Sequence, residues 1–262
     1  MIRRAYILLI LISIIAISAT VGSDKLIKWN FDDYTKLTYE YRQLMSSEVA
    51  FFDDAQKGLL TANLIVRIKD NKYADVIYTD IKSYTLSIDS LGNYIKSDSI
   101  NMPNQVLFQD LTPEGNIDGN IDQGSIMLAK TLFPITNKKM KIGETTDLKM
   151  SMPFNMFGSN INVRGFNRVK YESSDGGIAK LSSVIDVSEY TIPEEIDQDY
   201  LCYLIGNSSF NFDSDKGIFK DGVINLILVM GINETDSTTM KKTTKMMMEM
   251  NTEIILKLIK TE

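Results

Sequence analysis

Two short runs carry side chains that could hold a metal. Met246, Met248 and Met250 stand at alternate positions near the C-terminus, with Met240 shortly before them. Thioethers spaced i, i+2 along a strand share one face and form the soft ligand set that copper(I) prefers. The same spacing is what a strand needs when methionine fills its core side. In the middle of the chain Asp118, Asn120 and Asp122 also alternate, with Gly124 following, and resemble the start of a calcium loop. The glycine falls one position late for an EF-hand, and Ala129 stands where a bidentate glutamate belongs. A tight turn with its aspartates in water accounts for GNIDGNID more simply. Asp213, Asp215 and Asp221 read the same way.

Other chemistries are excluded by what the chain lacks. It has no histidine, so histidine-based nucleophile activation, general base catalysis and imidazole-ligated zinc or copper are unavailable. It has no Walker loop, no G-x-S-x-G elbow and no G-x-G-x-x-G fingerprint. Paired carboxylates could cleave a glycosidic bond without histidine, but nothing in the sequence pairs any two of the 34 acidic residues. Cys202, in DYLCYLIG, is the single cysteine; it reads as a buried structural thiol and can form no intramolecular disulfide. Asn207 and Asn233 lie in N-x-S/T sequons. No catalytic, cofactor-binding or metal-ligating residue is therefore assigned, no cofactor is implied, and the chain is not expected to be an enzyme.

These side chains need elements to hold them, and the 262 residues, 44% hydrophobic, suffice for a sizeable core. A net charge of −6 disfavours nucleic acid as a partner. Arg3 and Arg4, an apolar run from Ala5 to Ile17 and then small residues have the form of a secretory signal over residues 1–23, too short to span a bilayer comfortably. With no cysteine after that run, a soluble periplasmic or secreted protein is expected, without an acyl anchor or a membrane span once the signal is cleaved.

Beyond Asp24 the dominant period is two. Leu37, Tyr39 and Tyr41 alternate with polar residues in Lys36 to Met45, as do Ala62, Leu64, Val66 and Ile68 in Thr61 to Lys69. Asp70-Asn71-Lys72 then turns the chain into a strand from Tyr73 to Ile88, while Asp53 to Gly58 and Asp89 to Asn93 read as turns. Ser125 to Phe133, ended by Pro134, suits one short helix with Ser125 as its cap, and Pro193-Glu194-Glu195 could open another turn. Thr243 to Lys260 is rich in helix-forming residues, yet its even positions are largely apolar and its odd positions include Glu249, Asn251, Glu253 and Lys257, which predicts a long strand.

A repeat is visible in the same pattern. DIKSYTL at Asp80 and DVSEYTI at Asp186 lie 106 residues apart, and Gly115 and Gly119 have counterparts in Gly217 and Gly222. The organisation expected is a first β unit over 24–124, a connecting helix or linker over 125–140 and a second β unit over 141–262. The fold class is mainly β and antiparallel: two related curved sheets or half-barrels with one or two short helices. The two units would form packed half-barrels or one large twisted sheet.

Pro113-Glu114-Gly115, Phe133-Pro134 and Lys141-Ile142-Gly143-Glu144, after a leader, resemble a group of uncharacterised exported bacterial envelope proteins. In that domain of unknown function an spxG turn precedes an FP…vkvGdxW segment; here Thr145 and Thr146 follow Glu144 in place of the tryptophan. The resemblance implies a β-rich envelope protein and supplies no catalytic residues. Two functions fit. One is a non-catalytic module that accepts a lipid or other hydrophobic ligand on a concave face, lined by residues such as Leu64, Val66, Ile254 and Leu256. The other is a structural or protein-interaction component of the envelope, working through strand edges or hairpin tips. Those four residues would be plain core if the halves close on each other.

Overall fold

The computed structural model describes residues 24–50, 55–91, 93–119, 122–156, 159–191, 199–235 and 242–262. The expected signal at 1–23 and the turn at Pro193-Glu194-Glu195 lie outside them. Three strands, β2 (Lys36–Val49), β3 (Gln56–Lys69) and β4 (Tyr73–Ile88), form one antiparallel meander. Six more form a second: β9 (Thr145–Met156), β10 (Ser159–Asp175), β11 (Ile178–Glu189), β12 (Asp199–Asp213), β13 (Ile218–Thr235) and β14 (Lys242–Thr261). β14 pairs with β2, from Thr261↔Leu37 to Met248↔Val49, so the meanders join in one open, curved, 12-stranded sheet. Short strands β5 (Tyr94–Lys96), β6 (Ile100–Met102) and β7 (Gln105–Leu111) pair with β4 at one edge, and β9 forms the other. A two-stranded sheet, β1 (Lys25–Leu26) with β8 (Lys139–Met140), stands apart.

The period-two pattern becomes one continuous inner face. Leu37, Tyr39 and Tyr41 are opposite Val66, Leu64 and Ala62, and Leu64 and Val66 are opposite Tyr78 and Val76. All are buried, because antiparallel partners point to the same side. Asp70 and Asn71 turn β3 into β4 with φ of 50° and 55°, a backbone that short polar side chains tolerate. The expected turn from Asp53 to Gly58 ends sooner than its composition suggests, since β3 already begins at Gln56. β4 ends at Ile88, where Asp89 accepts hydrogen bonds from the Leu91 and Asn93 amides.

The inner face is filled at one end by an aromatic plug. Trp29 lies edge-on to Phe133 and Phe219 at 5.1 and 5.2 Å between ring centroids, and Phe219 meets Phe210 and Phe212 at 5.5 and 5.0 Å. The Tyr39 hydroxyl donates to the Phe219 carbonyl at 3.0 Å. The segment carrying Trp29 is fixed by its own backbone: Trp29 N–H donates to Pro113 and Asn30 N–H to Gly217. Gly217 has φ +63°, and a Cβ there would lie 2.6 Å from the Asn30 amide nitrogen. Gly115, in the Pro-Glu-Gly turn, has φ +78° and would bring a Cβ within 2.6 Å of Ile135. The local motifs therefore do packing work. Gly222, by contrast, is no turn residue but sits within β13, where a Cβ would fall 2.3 Å from the Phe210 ring.

The one helix among the described residues, α1 (Gln123–Leu132), packs against β9. Its cap is Asp122 rather than Ser125: Asp122 has extended backbone angles and accepts from the Ser125 N–H and hydroxyl at 2.9 and 2.7 Å. Those bonds hold the Asp122 carboxyl below its ordinary pKa, the Ser125 side chain first and its backbone next. Ala129, Thr131 and Leu132 are buried, and the helix stops ahead of Pro134, which has no N–H to continue the ladder. Lys130 donates to the Lys149 carbonyl of β9 at 2.7 Å, and Asn167 of β10 donates to the Lys130 carbonyl at 3.0 Å.

Candidate functional site

Past the plug, the same inner face continues without its filling. The row on β2 runs from Tyr41 through Gln43 to Met45 and Ser47; that on β14 from Leu256 through Ile254 and Thr252 to Met250. Across from them β13 brings Ile224, Leu226, Leu228 and Met230. Burial falls along each row: Tyr39, Leu64 and Ile224 are sealed, whereas Met45, Leu226, Leu228, Met230 and Met250 are half-buried. A pocket of ≈ 700 Å³ opens here, with Met45, Ser47, Gln56, Lys57, Gly58, Tyr84, Thr85, Leu86 and Met250 among its lining residues. That volume falls in the range of small-molecule sites.

Two phenols mark the boundary between plug and pocket. Tyr41 and Tyr78 pack at 4.6 Å between ring centroids, and the Tyr41 hydroxyl donates to Gln43 at 2.7 Å. Burial pushes the Tyr41 hydroxyl up to about 12 and that of Tyr78 further still, so both stay neutral. Gly58 leaves room at the pocket wall: a Cβ would meet only the Tyr84 carbonyl, at 3.6 Å. The site thus combines the apolar side chains of Met45, Leu86 and Met250 with the hydroxyl and amide groups of Ser47, Gln56, Ser83 and Thr85, and with the single charged side chain of Lys57.

The residues singled out in the sequence are distributed differently. Leu64, Val66, Ile254 and Leu256 are core, 0 to 4% exposed, because the plug covers their end of the face. Met248 and Met250 do line the inner face, paired with Met230 and Leu228. A bulge next to Met230 pairs Met246 with Gly231, out of step with the other two; its side chain lies outside the described residues, as does Met240. The carboxylates of the calcium-like run have hydrogen-bond partners within the chain. Asp118 accepts from the Tyr73 hydroxyl at 3.2 Å, Asp122 is spent capping α1, and Asn120 is outside the described residues. Asp110, on the same ≈ 430 Å³ hollow, is held by Lys69 at 2.8 Å. No group of three His, Cys, Asp or Glu side chains among the described residues could hold a metal ion. Cys202 is fully buried, and burial pushes its thiol up to about 12. The pocket-end residues of β13, Leu226 to Ile232, escaped the sequence reading because GVINLILVMGIN is apolar on both faces and hides its period.

Fold and site together define an open, curved β-sheet protein with an aromatic plug at one end of its inner face and a pocket of mixed polarity at the other. No known protein family matches the chain, and no curated protein does. Among solved structures, one concerned with lipid–protein interactions in lipovitellin is 10% identical, with a TM-score of 0.46. That match covers 87% of this chain and 25% of the other, a likeness too slight to define a common fold; the chain spans about a quarter of that protein's length. No helix among the described residues is long and apolar enough to cross a membrane.

Proposed function

We propose that this is an exported, non-catalytic binding protein whose trough takes up the hydrocarbon part of a lipid or similar hydrophobic ligand. The observation that carries this reading is the fall in burial along a single inner face, from the sealed plug to the half-buried Met45, Leu228, Met230 and Met250 beside the ≈ 700 Å³ pocket. Methionine suits such a wall, since its unbranched thioether adapts to chains of different shape. The test is displacement of a fluorescent fatty acid from the full-length protein, together with Gly58→Phe, which places a ring in the pocket at a position with space for it. Binding should be saturable and lost in Gly58→Phe while the far-UV spectrum is unchanged. Binding no stronger than to an unrelated β-protein, or unaffected by the added ring, refutes the trough as the site.

A further inference from the structure

The sheet edge next to this pocket carries a second feature. The lip formed by the end of β4, its hairpin to β5, and β6 exposes Ile88, Leu91, Tyr94, Ile95, Ile100 and Met102; Leu91 at the hairpin tip is 84% exposed and Ile100 68%. Single exposed apolar residues need no explanation, but a contiguous group marks an interaction surface. Register divides the group between both faces of the lip. Ile95, Ile100 and Met102 pair with Ser87, Ser83 and Ile81 and so extend the inner face, while Tyr94 and Lys96 pair with Ile88 and Leu86 on the outer one. Ammonium groups border the outer side: Lys57 donates to the Tyr94 hydroxyl at 2.9 Å and lies 5.0 Å from its ring centroid, and Lys96 lies 5.3 Å from that of Tyr84. Lys82 is exposed beside Asn101 of β6. The lip itself, from Ile81 to Met102, carries Lys82 and Lys96 with Asp89 and Asp98, and Lys57 of β3 adds a third ammonium on a chain whose net charge is −6. Asp89 is engaged in its own hairpin turn.

We infer that this lip docks into the surface of an anionic lipid bilayer. A flat protein partner, or a second copy, would cover one face and leave the other wet, whereas a fluid lipid layer wraps both. Strand pairing is blunted as well: the edge is broken into β5 and β6, three residues each, with Ser97-Asp98-Ser99 between them and Pro103 just beyond. Tyrosine and lysine around an aliphatic tip match the headgroup zone, where an amphipathic ring and a long ammonium stem both find water and hydrocarbon. The surface stands whether or not the trough holds a ligand, although Lys57, Tyr84 and Leu86 line the pocket as well and would bring it close to the membrane.

Leu91→Trp in the full chain provides a local reporter, because the native Trp29 is buried in the plug. Val184→Trp, on the outer face of β11, is the control for attachment through any other segment. With vesicles of phosphatidylcholine and phosphatidylglycerol, the Leu91→Trp emission should shift to the blue and be quenched by bromines on the lipid chains, with no change in Val184→Trp. Adding Lys57→Gln and Lys96→Gln to the reporter should weaken vesicle binding about 25-fold, from about fivefold per lysine near an anionic surface. No shift, an equal response at both reporters, or unchanged affinity in the lysine variant overturns the inference. A blue shift that grows with protein concentration in the absence of lipid overturns it in favour of a second copy.

Discussion

Removing one ring from the plug tests whether that cluster, and not the pocket end, holds the sheet together. Phe219 is 1% exposed and has four aromatic neighbours, Trp29, Phe133, Phe210 and Phe212, at 5.0 to 5.6 Å. A buried Phe→Ala change costs about 3–5 kcal/mol, and each well-placed aromatic pair adds ~0.5–1.5 kcal/mol beyond burial, so Phe219→Ala belongs near 5 kcal/mol. That is a large share of the roughly 5–15 kcal/mol that folds a typical domain. Met250→Ala, on the same inner face but half-buried, should cost about 1–2 kcal/mol, less than half of the full core value. Urea unfolding of both variants, followed by far-UV and near-UV circular dichroism, gives the two differences, with equal slopes required for the comparison. Phe219→Ala destabilising no more than Met250→Ala would refute the assignment of the plug as the stabilising core and the other end as the open site.

The pH dependence of stability has a definite sign at Glu262. Lys260 and Lys36, at 2.7 Å each, lower its carboxyl to about 2 in the folded chain, against 4.5 ordinarily. A folded pKa below the unfolded one contributes stability that is complete above about 4.5 and is lost as pH falls towards 2. Melting temperatures of wild type and Glu262→Gln should therefore differ at neutral pH and converge across that window; a constant offset would contradict the assignment. Cys202 should ignore a thiol reagent at pH 8 until the protein is unfolded in urea, and rapid native labelling would place it at the surface instead of in the core.

Much of the fold was legible because its signals are local. The start of β2 at Lys36, both ends of β4 and almost all of β14 coincide with the period-two runs, even though methionine, glutamate and lysine in β14 favour a helix by propensity. The pairing of β2 with β14 was not legible, since strands about 200 residues apart leave no mark of their partnership on either sequence. The cap of α1 was displaced by one turn because Ser125 and Asp122 are both good caps, and only the backbone angles decide between them. Alternation identified the inner face of the sheet but not which end of it was filled. Leu64 and Met45 look equivalent in sequence; Trp29, Phe133 and Phe219, brought over them from three distant segments, make one core and leave the other at the pocket.

The seam between β2 and β14 also governs how the molecule can be made. β2 precedes and β14 follows β3 to β13 and the helix among them, so the central ladder of the sheet cannot close until all of that intervening chain has been made. Until then β2 and β13 each present a bare edge with apolar residues on one side, the kind of template that recruits a second chain. Partners so far apart in sequence also make the closure slow. Biogenesis of this protein thus contains an interval in which its two meanders exist unjoined, and a chaperone that shields strand edges would act there.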